Sequence, residues 1–442
     1  MTPLLGRADA AAAYEQLLQR VYPAGVTACP PPFTHTELAQ LWLDARLGHG
    51  GNRLHHGTIR ILDFGTANPA PTGPAILRAD IECDGRRLRG DIALHLRAED
   101  WETEGCGEKS EFANVVLHVV LHSPPAAWYT RNAVHRDIPV YVVPTAILRD
   151  VCGCARLYPA PAEALPLQAL PAERLSALFR AAAAYRAERK AQALEQKAAV
   201  IGQEQAWFEA WAEVLGYAAN KRPMRSLARR VSLAAAQGKD AEALFLGTAG
   251  FLQAVLPERT TQEARSYHRC VWAAWWPLRE QFAYPAEQAL SWVLSPVRPM
   301  NHPARRVAAL ALSAQRWGEL QPLMNAADAK RLTEALCALS HPFWDEHCTL
   351  VAAPLRRPCA LVGKTRAADF LANVVYPADR SPAAWETYLH LRAADVPARV
   401  RRLAAALFGE RTELPTLLHL HHVQQAILQL HADFHATAEA DD

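Results

Sequence analysis

The stretch Ile76-Leu77-Arg78-Ala79-Asp80-Ile81-Glu82-Cys83-Asp84-Gly85-Arg86-Arg87-Leu88-Arg89-Gly90-Asp91-Ile92-Ala93-Leu94-His95-Leu96-Arg97 decides the fold of this chain. Two strand-like runs, Ile76–Cys83 and Leu88–Arg97, flank Asp84-Gly85, a dipeptide suited to the positive φ angles of a tight hairpin. Downstream, Asn114–His122 is almost entirely apolar and β-branched, as expected of a strand covered on both faces. Upstream, Thr58–Phe64 alternates apolar and polar residues, and Asn68–Pro74 is a loop rich in Pro and small polar residues. One more strand is expected over Asp137–Val143. These elements predict a small mixed sheet.

On either side of this block the period changes to that of a helix. Apolar residues recur at helical spacing from Ala8 to Tyr22, and again over Thr34–Leu47, where Thr36 can cap and Leu38, Leu41, Trp42 and Ala45 share a face. Beyond Leu165 the chain reads as helix after helix. Pro171–Gln203 is long and rich in Ala, Glu, Arg and Lys, and shorter segments broken by Pro or Gly continue to Leu420 without a fixed repeat. The expected class is α+β, a small N-terminal mixed β-sheet domain followed by a large irregular all-helical domain. The expected divisions are N-terminal helices over 1–54, the sheet over 55–160, the helical domain over 161–435 and a disordered acidic tail over 436–442.

Composition narrows the function classes. Half of the residues are hydrophobic and the net charge is +2, so an ordinary core is within reach and nucleic-acid binding is limited to local basic patches. The nine cysteines follow no regular spacing and are expected as free thiols in a reducing cytoplasm. No apolar run approaches a membrane span and no signal peptide is evident, so the expected location is cytoplasmic, with no membrane partner.

Gly73-Pro74-Ala75-Ile76, Gly90-Asp91-Ile92-Ala93-Leu94-His95, Asp100-Trp101 and Val115-Val116-Leu117-His118-Val119-Val120 resemble, in order and spacing, an uncharacterised bacterial domain of unknown function. That family reads Gly-Pro-Asp-Phe, then Glu-x-His, then Trp-x-x-His-x-His, and closes on Leu-His-Val-Val. The resemblance extends through Leu215-Gly216-Tyr217 with Asn220, Glu242–Phe251 and Arg298–Arg306, covering Thr36 to Pro377. It implies a two-carboxylate metal site of the restriction-endonuclease-like kind. Here Ala75 and Ala93 stand at the acid positions, Glu104 and Cys106 stand at the two His positions, and His95 is retained. Alanine cannot ligate a hard cation, so an inactivated nuclease-like site without cofactor is expected. The alternative is a displaced Mg²⁺ site built from Asp80, Asp91 and His95, whose faces depend on strand register.

Two basic constellations complete the candidates. Lys221, Arg222, Arg225 and Arg229 form a stripe expected on a solvated helix face, where DNA or RNA phosphates would be met. Arg298, Asn301, Arg305 and Arg306 crowd a Pro-bracketed helix start, and both anion binding and structural pinning by Arg298 are open. Cys152-Gly153-Cys154 is too short for a zinc knuckle, the histidines at 419 and 422 read as a surface pair, and Trp272, Trp275, Trp276, Trp292 and Tyr284 read as packing. The expected function is a nucleic-acid-associated binding or assembly protein. A protein–protein adaptor using the helical half and a metal-dependent hydrolase with displaced ligands are the alternatives.

Overall fold

A computed structural model describes residues 6–22, 33–52, 57–122, 128–132, 134–145, 147–148, 151 and 167–434. The Cys152/Cys154 pair and the tail over 436–442 lie outside the described residues. The chain is α+β, with a mixed sheet near its N-terminus and a large helical region after it.

The strands are β1 (Gly50–Asn52), β2 (Thr58–Asp63), β3 (Thr66–Ala67), β4 (Ile76–Cys83), β5 (Arg86–Arg97), β6 (Val115–His122), β7 (Thr130–Arg131), β8 (Asp137–Ile138) and β9 (Val140–Val142). Asp84 and Gly85 both take positive φ, 50° and 77°, and close the β4–β5 hairpin as the sequence predicts. The strand expected over Asp137–Val143 is two short strands, interrupted at Pro139, which has no N–H to donate. The main sheet runs β1-β2-β4-β5-β6-β9, with β3 pairing on β4. Pairing is antiparallel up to β5 and parallel for β5–β6 and β6–β9.

Strand β5 holds the sheet together because it serves two partners in turn. Its residues Arg86–Ile92 pair with β4 and its residues Asp91–Arg97 pair with β6. One face of this frame is the main core, where Ile76, Ile81, Ile92, Leu94, Val119 and Leu121 pack with Leu38 and Trp42. Those last two belong to helix α1 (His35–Leu43), whose N-cap is Thr34 in a full capping box with Glu37, rather than Thr36. Trp42 Nε1 donates to the carbonyl of Phe64 at 3.0 Å, so a buried indole also ties the helix to the sheet.

The structure divides into two compact units, residues 1–193 with 380–442, and residues 194–379. The residues expected as one helical domain, 161–435, are therefore shared between both, and the boundary falls inside the long helix Ala172–Ile201. In the first unit Tyr14 donates to Asp433 at 2.8 Å, so the first and last described helices meet, and Arg7 pairs with Glu188 of the long helix at 2.8 Å. In the second, Gly247 leaves the space filled by Trp275: a Cβ there would lie 2.1 Å from the indole. No helix among the described residues is long and apolar enough to cross a membrane, and the described cysteines are free thiols.

Gly90 marks the tightest point of the sheet. A Cβ at this position would lie 2.3 Å from the Asn114 carbonyl and 2.6 Å from Val116 Cγ1, where β6 joins β5. Gly90→Ala is expected to destabilise the fold by about 1–3 kcal/mol, as overpacking usually does. Thermal and urea unfolding of the full chain measure this, and an unchanged midpoint would show that β6 yields without cost.

Candidate functional site

The two faces of β5 carry different chemistry. Ile92 and Leu94 enter the main core, and Asp91, Ala93 and His95 alternate onto the opposite face. The parallel β6 then sets His118 beside Ala93 and Val120 beside His95. Two histidines of adjacent strands consequently meet on one face, with His95 Nδ1 and His118 Nε2 2.9 Å apart. The chain continues, since His118 Nδ1 lies 2.9 Å from Thr130 Oγ1 on β7. His95, His118 and Thr130 are 4%, 0% and 1% exposed, so this is a buried polar relay in which each partner satisfies the next.

The crossover between β5 and β6 roofs the relay. Helix α2 (Asp100–Thr103) places Trp101 edge-on to His95 at 6.3 Å and tilted over His118 at 5.3 Å, between ring centroids. Its indole N–H donates to the Arg131 carbonyl at 3.1 Å. Ala93, Trp101, Cys106, Phe112, Val115 and Ile138 make the apolar wall around it. At the mouth, His95 Nε2 faces the Glu104 carboxylate at 3.6 Å and the Cys106 thiol at 4.0 Å. His35, the first residue of α1, brings its ring edge-on to His95 at 6.3 Å. Donor atoms of His35, His95 and Glu104 all lie within 4.8 Å of one another.

Burial governs the titration of this cluster. It holds His118 down at about 3 and lowers His95 as well, the latter opposed by Glu104 and Asp100, and it pushes the Cys106 thiol up to about 11. Both imidazoles and the thiol are neutral at pH 7.

The displaced two-carboxylate arrangement does not form. The register Asp80↔Arg89 puts Asp80 on the same sheet face as His95. Its carboxylate, however, is engaged by Arg87 through Nε at 2.8 Å and by Arg89 through Nε at 3.0 Å. Asp91 accepts the backbone N–H of Arg78 at 3.0 Å, at the bulge where Arg78 takes φ 57°, and is spent on the backbone there. Asp91 and His95 stand four positions apart on the strand, roughly 13 Å along the chain, too far to share an ion. Ala93 is buried in the wall under Trp101 and Ala75 packs against the main core.

The basic constellations are corrected in the same direction. Arg225 is 4% exposed and faces Glu213 at 3.7 Å, and Arg229 binds buried Glu209 at 3.1 Å beside Lys197, which reaches the same carboxylate at 2.7 Å. The expected solvated stripe is thus an internal ion network, with Lys221 exposed at its start and Arg222 half-buried. At the Pro-bracketed loop the pin is not Arg298, which is exposed, but its neighbours. Arg305 donates to the carbonyls of Trp344 at 2.9 Å, Ala360 at 3.3 Å and Cys359, and Arg306 to those of Leu361 at 2.6 Å and Met300. Asn301 ends the short turn before that helix. Trp275 is buried as expected, whereas Trp276 is 49% exposed under Arg279. His422, expected at the surface, is buried, which holds it down at about 4.

His118, Thr130 and His35 are the members of the site that pattern reading passed over. His118 stood in the closing strand as part of a signature, and the alternation of His95 and His118 on paired strands was its signal; Thr130 and His35 carried none.

Two expectations follow. Below about pH 6.5 the unfolded chain protonates His118 while the folded chain does not until about pH 3, so this group's stabilising contribution is complete above 6.5 and declines as pH falls. Between pH 7 and 5 the loss is about 2 kcal/mol, and His118→Asn should flatten that part of the stability–pH curve in urea titrations. Arg305→Ala, which leaves three carbonyls without their donor, should cost on the order of 3 kcal/mol or more, whereas Arg298→Ala should leave the melting temperature nearly unchanged. The reverse ranking would restore Arg298 as the pin.

Neither the curated proteins nor the solved structures contain a match to the chain. A family model does match, over residues 38–387, which takes in the sheet from β1 to β9, His95 with Glu104 and His118, and the arginine-pinned loop, and begins just after His35. The chain belongs to the family described as Protein of unknown function (DUF2851).

Proposed function

We propose that the protein is a binding or assembly protein with a catalytically degenerate nuclease-like sheet, and that its partner is another protein rather than a nucleic acid. The observation behind this reading is where the charges go. A magnesium-dependent nuclease needs carboxylates free to hold the ion and cations free to meet phosphates. Here Asp80 is neutralised by Arg87 and Arg89, and Arg225 and Arg229 are turned inward onto Glu213 and Glu209. The near-neutral net charge of +2 adds no long-range attraction for a polyanion. In the second unit, Val255, Trp276, Tyr284, Val293 and Leu294 are exposed by 81%, 49%, 37%, 40% and 52%. Large exposed apolar and aromatic side chains, here with Arg279 over Trp276 and Arg230 over Tyr284, are residue types enriched in protein interfaces.

Incubation of the full chain with Mg²⁺ or Mn²⁺ and single- or double-stranded DNA or RNA should give no cleavage above background. Fluorescence anisotropy with the same nucleic acids at low salt should show no saturable binding. Cleavage that is lost in Asp91→Ala would overturn the first half of the reading, and salt-sensitive saturable binding would overturn the second.

A further inference from the structure

We infer that the imidazoles of His35 and His95 and the carboxylate of Glu104 form a binding site for one divalent transition-metal ion of the zinc class. This goes beyond the binding reading above and does not depend on it. The sheet lacks the acids for a hard cation, yet it assembles a different donor set at the mouth of the buried relay.

Spacing is the first argument. Nitrogen and oxygen donors at about 2.0–2.2 Å from a tetrahedral Zn²⁺ lie roughly 3.3–3.5 Å from each other. His95 Nε2 and Glu104 Oε2 are 3.6 Å apart, and the three-donor set fits within 4.8 Å. His35 and Glu104 are exposed side chains at a helix start and in a turn, while His95 is buried, so two adjustable donors close on one fixed donor.

Orientation is the second. A metal-ligating histidine normally donates its other ring N–H to a fixed acceptor, which sets tautomer and ring plane. With its proton on Nδ1, His95 does this toward His118 Nε2 at 2.9 Å, and His118, protonated likewise on Nδ1, does so toward Thr130 Oγ1 at 2.9 Å. In this tautomer every member of the relay is satisfied, and the lone pair of His95 Nε2 is left on the side of Glu104 and Cys106. The Glu104 carboxylate lies 3.6 Å from that nitrogen and the Cys106 thiol 4.0 Å. In this tautomer the relay presents one lone pair at its mouth.

Donor type is the third. Two imidazoles and one carboxylate suit Zn²⁺ and its first-row neighbours, whereas Mg²⁺ requires an octahedron of oxygens. The Cys106 thiol, 4.0 Å from His95 Nε2, adds a soft atom at the rim and no further oxygen. Three protein ligands leave at least one position for water or an exogenous ligand.

The test is a titration of chelator-treated full-length protein with Zn²⁺, in competition with a chromophoric chelator, with Co²⁺ absorption as a second readout. One equivalent should bind and should raise the melting temperature. His35→Ala and Glu104→Gln, both at exposed positions, should each weaken Zn²⁺ binding about 100-fold or more, while Glu102→Gln, on the same segment and also exposed, should leave it unchanged. His118→Asn, which keeps ligands but alters the support of His95, should weaken binding about 10- to 100-fold. Absence of saturable one-to-one binding, binding indifferent to both His35→Ala and Glu104→Gln, or displacement of Zn²⁺ by millimolar Mg²⁺ would overturn the inference.

Discussion

The parallel pairing of β5 with β6 is the constraint on which the site depends. Antiparallel neighbours can be joined by two residues, as β4 and β5 are, but parallel neighbours need the chain to travel back along the sheet. That return path, residues 98–114, has to cross one face of the sheet, and it lands on the face that carries His95. Trp101, Glu104 and Cys106 are delivered by this crossing. The same parallel register places His118 across from Ala93, so that its ring reaches that of His95 diagonally. The small side chain of Ala93 is part of the arrangement, since it leaves room under Trp101 in the wall.

Charge burial is the second theme. Lys197, Glu209 and Arg229 form a nearly dry cluster, with side chains 6%, 2% and 6% exposed. The attraction of two cations outweighs the desolvation of Glu209 and holds its carboxyl below the ordinary range. Arg305 and Arg306 follow another rule, meeting carbonyl oxygens of residues 359–361 that lack regular secondary structure. A planar guanidinium with five donors can satisfy several such acceptors at once, a task for which an ammonium is poorly shaped.

What could be read from the chain alone was local. Asp84-Gly85 announced its hairpin, and Val115–His122 announced a covered strand, because turn chemistry and side-chain composition are written in adjacent residues. The capping residue was misplaced by two positions, Thr36 for Thr34, since the cap depends on which threonine finds Glu37 three residues on. The larger misreadings concerned charge. Arg225 and Arg229 looked like a solvated stripe because their partners, Glu213 and Glu209, sit on a different helix, and helical periodicity is silent about what faces a helix. Asp80 was legible as a carboxylate on a strand, but its capture by Arg87 and Arg89 follows from hairpin register. His35 lies sixty residues from His95 in sequence, and only the packing of its helix against the sheet brings it near.

The division of the chain has a consequence for the order in which it takes shape during synthesis. Residues 194–379 form one compact unit from a single uninterrupted segment. The other unit is assembled from two segments that flank it, and contacts such as Tyr14 with Asp433 close it. A ribosome makes the N-terminal sheet first, yet the helices that complete its unit emerge last, after the whole inserted segment. The second unit has all of its own contacts in hand once residue 379 has left the exit tunnel, while the first must keep helix Arg7–Val21 without its final partner until Asp433 appears. Domains generally fold as units as they are completed, so the middle of this chain is positioned to finish before its beginning.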